Sequence, residues 1–132
     1  MGYTTDFEGA FAFDKPLTAA QVSELNAFNE EDHRHEPGAP DAWCQWQPTD
    51  DGAALVWNEV EKFYGYVEWL SFLIERFFKP WGRTLNGSVD WAGEDSEDQG
   101  VIHIKDNRVQ AIPNIITKPN PSWTITKPDP KW

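Results

Sequence analysis

Sulfur is nearly absent from this sequence, which contains one cysteine, Cys44, and one methionine. A single cysteine excludes a disulfide framework within the chain and a zinc site built on cysteine pairs. Long apolar runs are missing too, since none approaches the roughly 20 residues that span a bilayer. The first residues also lack the basic and then apolar pattern of a signal peptide. We therefore expect a cytoplasmic protein with no membrane contact.

Basic residues are scarce, with 11 Lys and Arg against 22 Asp and Glu and a formal net charge of −11. The acidic excess is concentrated in residues 1–60, whereas residues 113–132 hold three lysines and one aspartate. Binding to a nucleic-acid backbone needs a basic surface, so direct nucleic-acid binding is excluded. A negative surface suits solubility, and it also suits docking on a basic protein.

Catalytic and metal-binding patterns are missing as well. The chain has no glycine-rich phosphate loop, no Gly-x-Ser-x-Gly and no His-Glu-x-x-His. Cys44 has no base placed beside it, so we interpret it as a small buried hydrophobe. His33 and His35 are two residues apart but imply no third ligand. We predict a protein that is not an enzyme and has no cofactor.

The acidic loop between Gly93 and Gly100 partly matches a calcium-binding loop. Its flanks look like strands, and its middle ligands are long Glu and Gln side chains. We therefore interpret it as a solvated hairpin loop.

The first half of the chain predicts one strand and one helix, followed by a loop and a hairpin. Residues 6–14 alternate, with the Phe7, Phe11 and Phe13 side chains on one face and Glu8 on the other. Thr18 and Gln21 form a capping-box pair that predicts a short helix. Residues 29–42 are predicted to be a polar loop, and residues 43–47 and 53–57 to be the arms of a hairpin.

Residues 59–79 predict the central helix, because apolar residues recur there at helical spacing and Pro80 and Gly82 end the pattern. Tyr64, Trp69 and Phe72 lie beside the main apolar stripe. Strands follow at residues 84–91, 101–105 and 108–112, the last two joined by an Asp106-Asn107 turn. We predict an α+β domain over residues 1–112: an antiparallel sheet in the order β-α-β-β-α-β-β-β with both helices on one face.

Residues 113–132 form a Pro-rich tail in which Ile116-Thr117-Lys118-Pro119 recurs nine residues later as Ile125-Thr126-Lys127-Pro128. Two prolines in each repeat favour an extended, polyproline-like backbone.

Aromatic residues make up 14% of the chain, more than a core of this size requires. Either these residues fill a tryptophan-rich core, or some of the Trp and Tyr side chains among them line a groove for a partner. Our candidate partner-binding residues are aromatic side chains on the central helix and in the tail, together with the carboxylates of the acidic loop: Tyr64, Trp69, Phe72, Glu94, Asp95, Glu97, Asp98, Trp123 and Trp132.

Several motifs resemble a family of small uncharacterised bacterial and phage proteins over residues 1–111. They are Gly2-Tyr3-Thr4-Thr5-Asp6-Phe7, Trp43-Cys44-Gln45-Trp46, Glu61-Lys62-Phe63-Tyr64 with Tyr66-Val67-Glu68-Trp69-Leu70, and Leu85-Asn86-Gly87 leading to Trp91 and Gly93-Glu94-Asp95. The resemblance implies no activity. Members often have a longer insert before the Trp-Cys-Gln-Trp strand, and the tail looks like an addition.

Three functions follow as hypotheses. The first is a non-enzymatic, acidic protein-binding module, a phage-encoded accessory or inhibitor of a host protein acting in the host cytoplasm. The second is a virion or assembly component that docks on a neighbouring subunit through its C-terminal arm and so forms an oligomer. The third is a binder of a small ligand, such as a nucleotide signal held between stacked rings.

Overall fold

The structure, a computed structural model, describes residues 3–113. The predicted tail beyond Pro113, with Trp123 and Trp132, lies outside the described residues. Six strands and two helices occur in the predicted order: β1 (Thr5–Phe13), α1 (Ala19–Asn29), β2 (Trp46–Pro48), β3 (Ala54–Trp57), α2 (Tyr66–Leu73), β4 (Leu85–Gly93), β5 (Gln99–Lys105) and β6 (Arg108–Pro113).

The strands form one antiparallel sheet in the spatial order β2-β3-β1-β4-β5-β6. Both helices pack on the same face, where their buried residues join those of the strands in one hydrophobic cluster. The α+β prediction is therefore confirmed. Neither helix in residues 3–113 has the length and hydropathy that crossing a membrane requires.

Local sequence signals account for several element boundaries. The Thr18 side chain accepts the backbone N–H of Gln21, and the Gln21 side chain accepts the N–H of Thr18, so the predicted capping box opens α1. At the β5–β6 hairpin, Asp106 and Asn107 have φ values of 51° and 67°, which is the left-handed turn conformation that their short polar side chains tolerate.

The central helix is shorter than predicted. It begins at Tyr66, after Gly65 in the left-handed conformation, and it continues as a π-helical turn over Ile74–Phe78. Residues 59–65 are not helical because Phe63 turns into the core, where it is 1% exposed. Trp46 then secures the start of the helix, since its indole Nε1 donates to the Tyr66 carbonyl at 2.9 Å.

The first arm of the predicted hairpin is also shorter, since β2 begins at Trp46 and Trp43 is exposed. Pro113, which we placed in the tail, is the last residue of β6 and pairs with Gly100. The sheet therefore extends one residue past the predicted domain boundary.

Candidate functional site

The acidic loop between β4 and β5 holds the N-terminal segment. Asp98 accepts two hydrogen bonds, from the Tyr3 hydroxyl at 2.7 Å and from the Trp91 indole at 2.9 Å. The Glu94 carboxylate accepts the backbone N–H of Thr4 at 2.7 Å. The loop is the hairpin connection between β4 and β5 that we predicted, and residues 94–97 are exposed, but Glu94 and Asp98 also have structural partners. The other two carboxylates of this loop, Asp95 and Glu97, are exposed.

Tyr64 belongs to the same cluster. Its hydroxyl oxygen accepts the backbone N–H of Tyr3 at 3.1 Å, and its side chain is 44% exposed. Tyr3 thereby links Tyr64 to Asp98, two candidates that are far apart in the sequence. Close by, burial and secondarily the negative charge of Asp98 raise the pKa of Tyr66 to about 12, so its phenol stays neutral at physiological pH.

The face of the sheet opposite the two helices is not covered by any described residue, and we call it the open face. One end of this face is acidic. Asp6 and Glu8 on β1 and Asp90 on β4 are exposed on this face, and Glu59 borders it. Glu8 lies directly opposite Asp90 in the strand register. Within residues 3–113, no cation pairs with any of these four carboxylates. We call these four residues the acidic end of the open face.

A shallow depression of about 540 Å³ runs along the acidic end, from β1 across β4 to β5. It continues toward Gln99, at the start of β5, and so adjoins the acidic loop. The exposed Asp95 and Glu97 therefore extend the same negative surface beyond the ends of β4 and β5.

The charge of the open face changes sign along the strands. The middle of the face carries the small side chains of Ala10 and Ser88, both exposed. Lys105 and Arg108 pair at the opposite end, beside the β5–β6 turn. Because the residues on one face of a strand are about 7 Å apart, the acidic and basic ends are separated by roughly 14 Å.

The predicted polar loop over residues 29–42 contains one buried polar side chain, that of His33. His33 is 5% exposed and stacks on Phe28 with 3.9 Å between ring centroids. Its Nδ1 lies 2.7 Å from a Glu36 carboxylate oxygen and its Nε2 lies 2.7 Å from the Phe28 carbonyl. Glu36 in turn binds Arg76 of the π-helical turn. Both nitrogens of His33 are thus engaged, while His35 is exposed.

Trp69 and Phe72 contact each other at 5.2 Å between ring centroids, but only one of them reaches the surface. Trp69 is 0% exposed and packs against Phe28 and His33, so it is a core residue although it lies beside the main apolar stripe of its helix, and it is not available to a partner. Phe72 is half-buried and, with Pro40, lines a shallow groove bordered by Arg76. The structure therefore does not bring Trp69 and Phe72 to the Tyr64 and acidic-loop cluster.

Cys44 is 2% exposed, and burial raises the pKa of its thiol to about 12. It donates weakly to the Trp46 carbonyl at 3.8 Å. This environment fits our interpretation of Cys44 as a buried hydrophobe.

The acidic end of the open face was missed as a site. The alternation in β1 placed Glu8 on the outer face, which was half of the signal. The other half is the pairing of β1 with β4, which are separated by the 71 residues between Phe13 and Leu85, and no local pattern specifies that pairing. Comparison with known proteins found no matching family model, curated protein or solved structure.

Proposed function

We propose that this protein is a non-enzymatic binding module that uses the acidic end of its open sheet face to hold a basic segment of a protein partner. The observation that carries the proposal is the direct opposition of Glu8 and Asp90 on that face. Like charges facing each other across two strands destabilise a sheet. A bound cationic side chain relieves that repulsion, so part of the binding energy comes from an unfavourable arrangement that the strand register imposes on the unoccupied face.

The surroundings of the pair suit an extended, positively charged peptide. Ala10 and Ser88 leave the neighbouring surface flat, so a chain can approach the carboxylates without steric obstruction. Asp95 and Glu97 continue the negative potential beyond the ends of β4 and β5. Such a field accelerates association with a basic partner and weakens as salt is added. The surface of a nucleic-acid-handling protein has the matching charge.

The test is the binding of a fluorescent lysine-rich peptide, followed by fluorescence anisotropy at low and at physiological salt. The site variant is the double substitution Glu8→Lys/Asp90→Lys. The matched control is Glu24→Lys/Glu30→Lys, which changes two exposed carboxylates, one in the middle of α1 and one directly after it. Both double variants have the same net charge, so only the position of the change differs.

We expect the site variant to lose at least about tenfold in affinity relative to the control, the equivalent of about 1.4 kcal/mol. Equal weakening by the two variants would mean that the peptide responds to net charge alone, and it would reject the open face as the binding surface. The same pair of variants, immobilised and exposed to a host lysate, identifies the natural partner as a protein retained by the wild type and the control but not by the site variant.

A further inference from the structure

We propose that residues 114–132 of the same chain fold back across the open face and place Lys118 at the Glu8–Asp90 pair. The inference uses the surface on which the proposed function rests, but it assigns that surface an occupant within the molecule. A basic partner then has to displace the chain's own segment, so the tail acts as a built-in competitor.

The place where the chain leaves the sheet is the first argument. β6 ends at Pro113, which pairs with Gly100 on β5. Gly100 pairs with Trp91 on β4, and Trp91 pairs with Phe7 on β1. The chain therefore leaves the sheet at the same end that carries the acidic residues, in the row next to Glu8 and Asp90.

The surface between that exit point and the carboxylates suits the first residues of the segment. Val101 and Ile112 are paired neighbours on the open face, both half-exposed, and Val101 is the cross-strand partner of Asp90. The segment begins with Asn114, Ile115 and Ile116. Apolar side chains thus meet an apolar patch before the first lysine is reached.

The distances agree. Three strand spacings of about 4.8 Å separate β6 from β1, a span of roughly 14 Å. Lys118 is the fifth residue after Pro113, and five extended residues reach about 16 Å. An extended chain crossing the strands therefore brings Lys118 over Glu8 and Asp90.

Charge and backbone chemistry favour the face over the free edge of β6. The segment contains Lys118, Lys127 and Lys131 against one acid, Asp129, so its charge is opposite to that of the acidic end. Its prolines lack the backbone N–H that a further strand on the sheet edge needs. Packing on a face needs no such donor, because the contacts are made by side chains.

Disulfide trapping in the full-length chain tests the placement. The reporter pair is Ala10→Cys with Asn120→Cys, which puts one thiol on the open face beside Glu8 and one beside Lys118 while both charges remain. The control pair is Ala27→Cys with Asn120→Cys, in which the first thiol is exposed on α1, on the opposite side of the sheet. Cys44 is buried and stays in place.

We expect the reporter pair to form an intramolecular disulfide about tenfold faster than the control pair, because docking raises the local thiol concentration. Adding Glu8→Lys to the reporter pair is expected to remove this advantage, whereas adding Glu24→Lys is expected to leave it. Non-reducing electrophoresis and mass spectrometry measure the products.

Equal rates for the two cysteine pairs would overturn the proposal. Disulfide-linked dimers as the main product would overturn it too and would assign the face to the tail of a second copy. No partner or peptide is present in this experiment, so its failure leaves the proposed function intact. Conversely, if the wild-type protein fails to bind the lysine-rich peptide, the trapping experiment still reports on its own whether residues 114–132 contact the open face.

Discussion

Glu8 on β1 and Asp90 on β4 face each other across the antiparallel register, and both side chains project from the face of the sheet that no described residue covers. Because this arrangement brings two negative charges close together, it opposes folding. In a chain that carries Lys118→Gln, and so has no lysine of residues 114–118 to neutralise the pair, Asp90→Asn is expected to raise the free energy of unfolding by about 0.5 kcal/mol at low salt.

Denaturant unfolding at two salt concentrations measures this gain, which should shrink as ionic strength rises. Glu24→Gln, which removes an exposed charge on α1, is the control and is expected to change stability less. A gain that is independent of salt would mean that charge repulsion is not its cause.

The two neighbouring residues Trp69 and Leu70 are both 0% exposed. Leu70→Ala is therefore expected to cost about 2–5 kcal/mol, and Trp69→Ala about 3–5 kcal/mol, through lost burial and a cavity. Phe72 is half-buried at the edge of the groove, so Phe72→Ala is expected to cost less than either. Urea unfolding ranks the three variants. Little loss of stability in Trp69→Ala would contradict its place in the core.

The hydrogen bond from Arg76, assisted by one from His33, lowers the pKa of Glu36 below its ordinary value of 4.5. A carboxylate with a lowered pKa in the folded state stabilises the fold above its ordinary pKa, and that stabilisation is lost as the pH falls through the lowered value. Glu36→Gln is therefore expected to cost about 1 kcal/mol at neutral pH.

The cost of Glu36→Gln is expected to fade as the pH falls below the ordinary carboxyl pKa of 4.5, and to disappear below the lowered pKa, where the wild-type carboxylate is protonated as well. Unfolding free energies measured from pH 7 down to pH 3 check the trend. Glu75→Gln removes a carboxylate that pairs with Lys79 at the surface, and it serves as the control with a smaller cost. A cost for Glu36→Gln that stays constant with pH would exclude the charge as its source.

The raised pKa of Cys44 and its burial predict an unreactive thiol. The thiolate is the reactive form, so a thiol reagent at pH 8 is expected to label the native protein far more slowly than the protein unfolded in guanidinium. Mass spectrometry of the labelled protein follows the reaction. Native and unfolded protein reacting at the same rate would place Cys44 at the surface.

Gly87 lies on β4, opposite Phe11 of the paired strand β1, where the two backbones are close together. Its φ is 140°, and a Cβ atom there would lie 2.9 Å from the Ala10 carbonyl oxygen. Gly87→Ala is expected to cost about 2 kcal/mol, from backbone strain together with the clash. Gly82→Ala is the control, since Gly82 also has a positive φ of 71° but has open space where the Cβ would be. Equal costs for the two variants would mean that the clash with Ala10 contributes nothing and that backbone strain alone causes the loss.

Local patterns in the sequence predict much of this fold. The alternation around Phe11 and Phe13, the capping box at Thr18 and the Asp106-Asn107 turn each depend on residues within a few positions of one another. The same is true of the element order, because hydrophobic period and turn residues identify each element separately. Short-range physics therefore predicted which elements exist and which face of β1 is apolar.

Contacts between distant parts of the chain decided the rest. Trp69 lies off the apolar stripe of its helix, yet it is buried because the loop that contains His33 packs against it. Phe63 entered the core instead of the helix because tertiary burial outweighed its helical spacing. Glu8 and Asp90 became one site through the pairing of β1 with β4, which no local pattern specifies. Composition alone established that the chain is acidic, but the location of that charge depends on which strands the tertiary structure places side by side.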